Sequence, residues 1–252
     1  MFCVLKTEIR EKTFFEKILG KNKKTQYLLK TIPVLKGAPF YEMTVVLGRK
    51  GVDWNCVVQI LGKCSKKLVV QDTIELPKRE DVGIHKSNLL KNKIYKNTFN
   101  YILKNQKALF DICVIDRKGE NTDFVENICE CAKTLTISTN KKEKYQKTCE
   151  ILTLEKGVCP LIQEKIADST VKIDLDANLM TIKTSKDYLN IKNGEEFILH
   201  NIYENLLCDG VDKYDFFSAL YELCGVFSIG DSIFENIEVN NEKKLVKHIQ
   251  FA

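Results

Sequence analysis

An Arg-Lys-Gly step occurs twice in this chain, each time directly after an apolar run. The first copy is Gly48-Arg49-Lys50-Gly51 and the second is Asp116-Arg117-Lys118-Gly119, so two of only four arginines occupy matching places. Cations just before a helix are unfavourable by several tenths of a kcal/mol, up to about 1 each, because the helix start is partly positive. A bound anion is stabilised at the same place. The two turns therefore indicate a site for a small anionic ligand, such as a nucleotide or a phosphorylated metabolite.

The repeated step has a second interpretation that needs no ligand. If the surrounding segment was duplicated, the turn was copied with it, and its basic side chains point into solvent. Lysine is abundant here, with 35 lysines among 39 basic residues. The sequence leaves both interpretations open.

Other arrangements that could do chemistry are incomplete. The three histidines, His85, His200 and His248, are isolated, and no HEXXH motif, nucleophile elbow or P-loop occurs. Cys129-Glu130-Cys131 is the nearest approach to paired metal ligands, but its thiols fall on different sides of a helix. We therefore assign no catalytic residue and predict no metal site.

The elements around the two basic turns have the same order. Residues 44–71 and 111–138 each read as an apolar strand, the turn, a helix and a second strand. Asp53 caps the first predicted helix, and Asn121 or Thr122 caps the second. Apolar side chains share one face of each helix: Trp54, Val57, Val58, Leu61 and Cys64 in the first, and Phe124, Val125, Ile128, Cys129 and Ala132 in the second. This pattern predicts a duplicated βαβ unit.

Alternating strands and helices over residues 41–165 predict an α/β fold with a mostly parallel, Rossmann-like sheet and helices on both faces. A helix within 72–109 would serve as the crossover. If this crossover returns the chain beside the first strand, the strand order is 2-1-3-4-5. Both basic turns would then line the crevice where such sheets bind ligands.

Smaller mixed elements flank this core. Residues 1–40 predict strands at Cys3–Ile9 and Gln26–Ile32 with a short helix around Phe14–Leu19. Residues 166–252 predict a C-terminal extension that contains a helix capped by Asp212 and a polar hairpin or tail after residue 235. We thus expect three regions, at 1–40, 41–165 and 166–252.

The core resembles a Rossmann-type dinucleotide-binding domain, like bacterial proteins of this fold that lack its glycine fingerprint. Where that family carries G-x-G-x-x-G, this chain has Gly48-Arg49-Lys50-Gly51 and Asp116-Arg117-Lys118-Gly119, in which bulky residues replace glycines. The loop Ser138-Thr139-Asn140-Lys141-Lys142 is similar to the one that takes the 2′-phosphate in NADP-preferring members. The resemblance therefore implies NADP if a dinucleotide binds, with Asn140 and Lys141 at the site.

Composition sets the remaining expectations. The 252 residues carry a net charge of +5, and the lysines are dispersed among acids, which argues against nucleic-acid binding. No apolar run is long enough to cross a membrane, and the N-terminus does not resemble a signal peptide, so we expect a cytoplasmic protein with free thiols. Two functions stay open: a binder of a small anionic ligand at the switch point, or a non-catalytic interaction or scaffold module with an empty crevice and a protein partner.

Overall fold

The fold is given by a computed structural model of the chain. It describes residues 1–9, 24–48, 51–185, 187–192, 194 and 201–250. The helix predicted around Phe14–Leu19 lies outside these ranges, as do Arg49, Lys50 and His200.

The described residues form strands and helices that we number in chain order. The strands are β1 (Cys3–Ile9), β2 (Gln26–Ile32), β3 (Phe40–Leu47), β4 (Leu68–Val70), β5 (Phe110–Ile115), β6 (Ala132–Ser138), β7 (Leu161–Gln163), β8 (Val171–Asp174), β9 (Leu179–Lys183), β10 (Tyr188–Lys192), β11 (Asn236–Val239) and β12 (Glu242–Leu245). The α-helices are α1 (Trp54–Leu61), α2 (Leu89–Asn105), α3 (Thr122–Ile128), α4 (Gln146–Lys156), α5 (Asn201–Glu204) and α6 (Lys213–Leu223).

The chain divides into two compact units. The first unit comprises Met1–Lys91 and Leu199–Gly230, and the second comprises Asn92–Ile198 and Asp231–Ala252. These limits differ from the regions expected at 1–40, 41–165 and 166–252, because each unit is built from two separate stretches of the chain.

The first unit contains a four-stranded sheet with the order β2-β3-β1-β4. β1 is parallel to both of its neighbours, and β2 is antiparallel to β3. Cys3, Val4 and Leu5 of β1 are fully buried, as expected for a central strand that is covered on both faces. The N-terminal strand is therefore the centre of this sheet.

Each face of the four-stranded sheet carries its own apolar cluster. On one face, Val57 and Leu61 of α1 belong to the same cluster as Leu5 and Met43 of the sheet. A second cluster joins Phe2 and Phe40 to Phe216 of α6, with ring centroids 5.0 to 6.0 Å apart. These contacts explain why the apolar spacing of α1 and α6 could be recognised in the sequence.

The second unit contains an eight-stranded sheet with the order β12-β11-β10-β9-β8-β5-β6-β7. Within this order, the neighbours β8, β5, β6 and β7 pair in parallel. The neighbours β8, β9, β10, β11 and β12 each pair antiparallel with the next strand. The alternating burial of β8 and β9 agrees with antiparallel strands that have one covered face. The sheet is therefore mixed.

The α/β class is confirmed, but the expected single, mostly parallel sheet is wrong. Two mixed sheets are present, and the strands before the two basic turns, β3 and β5, belong to different sheets. The expected strand order 2-1-3-4-5 is also wrong. Its strands 1 and 2 correspond to β3 and β4, which are not neighbours because β1 lies between them and pairs with both. Both segments do form strand, helix and strand. The two strands of the second segment, β5 and β6, are direct neighbours, whereas β1 separates the two strands of the first segment, β3 and β4. The duplication itself stays a prediction.

Two further features of the described chain bear on its class. No helix in the described ranges is long and apolar enough to cross a membrane. All ten cysteines carry free thiols, and Cys129 and Cys131 are both buried.

Candidate functional site

A cavity of about 510 Å³ lies at the carboxyl ends of the parallel strands β3, β1 and β4 in the first unit. Its size is within the range of small-molecule sites, about 300–1,000 Å³. We call it the carboxyl-edge cavity, and its lining residues are Thr7, Ile9, Leu47, Gly51, Val52, Trp54, Gln71, Thr73, Ile74 and Glu75. The chain thus places one predicted site residue, Gly51, in a cavity that also contains its sole tryptophan.

Thr25 holds the two ends of the first basic turn together. Its hydroxyl accepts a hydrogen bond from the Gly48 N–H at 3.2 Å and donates one to the Gly51 carbonyl at 2.9 Å. Gly51 has a φ of +70°, and no atom of the described residues lies within 4 Å of the position that a Cβ would take. Thr25 therefore ties Gly48 and Gly51 together at the two ends of the turn, and Gly51 lines the cavity.

The start of helix α1 is already capped by protein groups. The Asp53 carboxylate accepts hydrogen bonds from the N–H groups of Asn55 and Cys56, and the Asp53 N–H donates to the Tyr27 hydroxyl at 2.8 Å. These N–H groups are occupied, and Asp53 adds a negative charge. These N–H groups at the helix start are therefore not free to bind an anion.

The second basic turn is built differently, because Asp116 is fully buried. Its carboxylate accepts hydrogen bonds from the Gly119 N–H at 3.0 Å, the Asn121 N–H at 2.9 Å and the Tyr145 hydroxyl. Burial and these interactions with Asp116 raise the pKa of Tyr145 well above its usual value. Asp116 therefore organises the turn from inside.

Arg117 is also engaged within the second unit. Its guanidinium donates to the Glu164 carbonyl at 2.6 Å, and its N–H donates to the Asp176 carboxylate at 3.0 Å. The Lys118 carbonyl accepts a hydrogen bond from the Lys144 ammonium. These contacts give the second turn a structural role, and ligand binding there stays a prediction.

The remaining predicted residues surround the same turn. A Cβ on Gly119, which has a φ of +64°, would lie 3.0 Å from side-chain atoms of Lys141 and Lys144. Asn140 and Lys141 are exposed, and the Lys141 N–H donates to the Thr139 hydroxyl. The structure thus brings Lys141 close to the second turn, and the first turn belongs to the other unit.

A second cavity of about 480 Å³ lies in the first unit, between strands β1 and β3 and the loop 205–209. We call it the ion-pair cavity, because the Lys6 ammonium lies 3.2 Å from the Glu42 carboxylate within its lining. The Cys208 thiol donates to the other oxygen of Glu42 at 3.1 Å. Its lining contains more ionisable side chains than that of the carboxyl-edge cavity.

Partial burial disfavours the charged forms of Lys6 and Glu42, but the interactions between these groups favour the charged forms more strongly. Against that burial, the Cys208 thiol and Lys6 hold the pKa of Glu42 below its usual value. Likewise against burial, Glu42 holds the pKa of Lys6 above its usual value. Burial and the Glu42 carboxylate raise the pKa of Cys208 to about 12. At neutral pH the group is therefore an ammonium, a carboxylate and a neutral thiol.

Gln71 forms part of the lining of both cavities. Its carbonyl oxygen accepts a hydrogen bond from the Thr7 N–H at 2.8 Å, and its amide group donates to the Asp209 carbonyl at 2.9 Å. Gln71 thus connects the carboxyl edge of the sheet to the loop over the ion-pair cavity.

Sequence reasoning missed Thr25, Tyr27 and Gln71. The antiparallel register pairs Gln26 with Val46, which places Thr25 beside Gly48. Strand β2 was predicted with its correct limits, but its pairing with β3 was not, and the contacts of Thr25 and Tyr27 depend on that pairing. The contact of Gln71 with Thr7 depends in the same way on the pairing of β4 with β1.

Neither a metal-binding group nor a similar protein identifies the site. Among the described residues, no group of three or more His, Cys, Asp or Glu side chains could hold a metal ion. Comparison of the chain with protein-family models, with curated proteins and with solved structures finds no match.

Proposed function

We propose that this protein binds a small anionic ligand in the carboxyl-edge cavity of its first unit. The observation that carries this proposal is the cavity of about 510 Å³ at the ends of three parallel strands, with Gly51 in its lining. Open α/β sheets bind their ligands outside the carboxyl ends of the strands. The proposed site is beside the first basic turn alone, whereas the sequence predicted a crevice between both turns.

The preference for an anion comes from the sequence next to the cavity. Arg49 and Lys50 precede Gly51 directly, and the turn that they belong to is fixed by Thr25 at both ends. Glu75 is the one acidic residue among the described residues that line the cavity. A phosphate or carboxylate group beside Gly51 would offset the charge of the two basic side chains.

The lining also supports a ligand with an apolar part. Ile9, Leu47, Val52, Trp54 and Ile74 contribute aliphatic or aromatic surface. Binding sites for small molecules commonly combine such surface with a few polar groups that fix orientation. Nucleotides, NADP included, and phosphorylated metabolites with a hydrophobic group fit this description.

Tryptophan fluorescence tests the proposal directly, since Trp54 is the sole tryptophan and lines the cavity. We expect one of NADP, NAD, ATP, GTP or a set of sugar phosphates to change the emission of Trp54 and to raise the melting temperature. A ligand at 100 times its dissociation constant stabilises a protein by about 2.7 kcal/mol. If no compound changes either signal, the proposal is wrong.

The two basic turns provide a matched pair of variants. Arg49→Ala with Lys50→Ala should weaken binding at least about tenfold, because the two cations that directly precede Gly51 in the sequence are removed. Arg117→Ala with Lys118→Ala removes the same two residue types from the other unit and should leave the dissociation constant unchanged. Equal loss in both variants would contradict a site at the first turn alone.

A protein-interaction role is the alternative, and one feature of β2 favours it. This strand lies at the edge of the four-stranded sheet, and its side chains Leu28 and Leu29 are about half exposed. Edge strands with exposed apolar residues can pair with another chain. Replacing Leu28 and Leu29 with Lys should abolish partner binding under this alternative and leave the Trp54 signal unchanged.

A further inference from the structure

The ion-pair cavity places opposite charges side by side on the face of the four-stranded sheet. Lys6 is in the central strand β1 and Glu42 is in the neighbouring strand β3. The side chain of Lys6 is 25% exposed and that of Glu42 is 13% exposed, so both retain access to the cavity. Their neighbours on these two strands, Val4 and Phe40, are buried and apolar.

The fold alone gives little reason for this pair. The interactions within the pair outweigh its partial burial, but an apolar pair of similar volume is frequently as stable as an ion pair at such a place. An ion pair in the lining of a cavity therefore suggests recognition of a ligand.

The hydrogen bonds of the pair leave capacity for such a ligand. An ammonium has three donors, and a carboxylate can accept about four hydrogen bonds. Glu42 has one contact on each oxygen, from Lys6 and from Cys208. Both side chains line the cavity, and among the described residues they have no further hydrogen-bond or ion-pair partner, so Lys6 retains donors and Glu42 retains acceptors for a ligand.

A zwitterion complements two opposite charges that are 3.2 Å apart. The carboxylate of an α-amino acid would contact Lys6, and its ammonium group would contact Glu42. In an α-amino acid the ammonium nitrogen and the carboxylate carbon are bonded to the same carbon. This close spacing of the two ligand charges suits the short distance between the protein charges. A ligand with only one of the two charges would satisfy only one side of the pair.

The lining also contains two further acidic residues, Glu8 and Asp209, and another part of it suits a hydrocarbon side chain. Ile32, Leu206 and Leu207 contribute aliphatic surface, and Phe40 contributes part of an aromatic ring. The cavity volume of about 480 Å³ is within the range of small-molecule sites.

We propose that the ion-pair cavity binds a small zwitterion of the amino-acid type, with its charged groups on Lys6 and Glu42 and an aliphatic side chain against Ile32, Leu206 and Leu207. This site is separate from the one in the proposed function, so either can fail without the other. Thr7 and Gln71 line both cavities.

Three compounds with the same hydrocarbon part test the proposal by calorimetry on the full chain. L-leucine carries both charges, 3-methylbutylamine lacks the carboxylate, and 4-methylpentanoate lacks the ammonium. We expect L-leucine to bind at least about tenfold more tightly than either of the other two. Equal affinity for L-leucine and one of the singly charged compounds, or no binding of L-leucine, overturns the proposal.

Variants of the pair then locate the site. Lys6→Met should remove the preference for L-leucine over 3-methylbutylamine, and Glu42→Gln should remove its preference over 4-methylpentanoate. Lys133→Met changes an exposed lysine of the other unit and should leave all three affinities unchanged. If both preferences persist in the Lys6 and Glu42 variants, binding occurs elsewhere and the proposal is wrong. If a variant does not fold, the three wild-type affinities still decide.

Discussion

The Tyr145 hydroxyl donates a hydrogen bond to the Asp116 carboxylate, and both residues are fully buried. Asp116 follows strand β5 and Tyr145 directly precedes helix α4, so one hydrogen bond joins the basic turn to the next connection of the sheet. The residue that the sequence indicated as part of a binding turn is thus a buried support for it.

Tyr145→Phe should destabilise the second unit by about 1–3 kcal/mol, because a buried carboxylate loses one of its three hydrogen-bond donors. Urea denaturation at pH 7 measures this loss. Tyr101→Phe is the matched control, since Tyr101 is partly exposed on α2 and its change should stay within about 0.5 kcal/mol. Similar losses in both variants would contradict a special role for the contact with Asp116.

The same tyrosine predicts a dependence on alkaline pH. Burial and Asp116 raise the pKa of Tyr145 in the folded state, whereas in the unfolded chain a tyrosine ionises near pH 10. Its contribution is therefore complete below about pH 10 and decreases as the pH rises further. The difference in unfolding free energy between wild type and Tyr145→Phe should shrink between about pH 9.5 and 11. A difference that grows over this interval would contradict the assignment.

Alanine substitutions at two glycines of the second unit distinguish the free-energy cost of backbone strain from that of crowding. Gly119 and Gly157 have φ values of +64° and +67°, but only at Gly119 would a Cβ meet other atoms, at 3.0 Å. An alanine in this conformation costs about 1–2 kcal/mol. Gly157→Ala should show this cost alone, and Gly119→Ala should lose more. Thermal unfolding of both variants measures the difference, and equal losses would show that Lys141 and Lys144 move away freely.

The features that the sequence predicted correctly are determined by neighbouring residues. Asp53 and Asp212 accept hydrogen bonds at helix starts, as their positions beside apolar helical patterns indicated. Strands β1 and β2 also have the predicted limits. Each of these depends on a short stretch of chain.

The pairing of strands was not predicted because it depends on distant residues. The apolar residues Cys3, Val4 and Leu5 fit the centre of any covered sheet, and the sequence does not say that β3 and β4 are their neighbours. The ion-pair cavity depends on the same pairing, since it joins Lys6 to Glu42 across β1 and β3. Sequence reasoning therefore could not find this cavity.

Cys208 should react slowly with alkylating reagents at pH 8, because the thiolate is the reactive form and burial with Glu42 raises the pKa of Cys208 to about 12. Glu42→Gln removes the negative charge next to the thiol and should speed alkylation of Cys208 severalfold. Mass spectrometry of iodoacetamide-treated protein measures each cysteine separately. The exposed Cys159 provides the reference, and its rate should not change. An unchanged rate at Cys208 would show that burial alone suppresses its reactivity.

Thr25→Val should loosen the first basic turn, because it removes the hydroxyl that bridges the Gly48 N–H and the Gly51 carbonyl. We expect a loss of about 1–3 kcal/mol in unfolding free energy, since two hydrogen bonds are lost with little change in volume. Under the proposed function, any ligand that changes Trp54 fluorescence should also bind more weakly. Thr31→Val is the control, because Thr31 is exposed at the far end of the same strand. A stability loss without any change in affinity would show that ligand binding does not depend on the geometry of this turn.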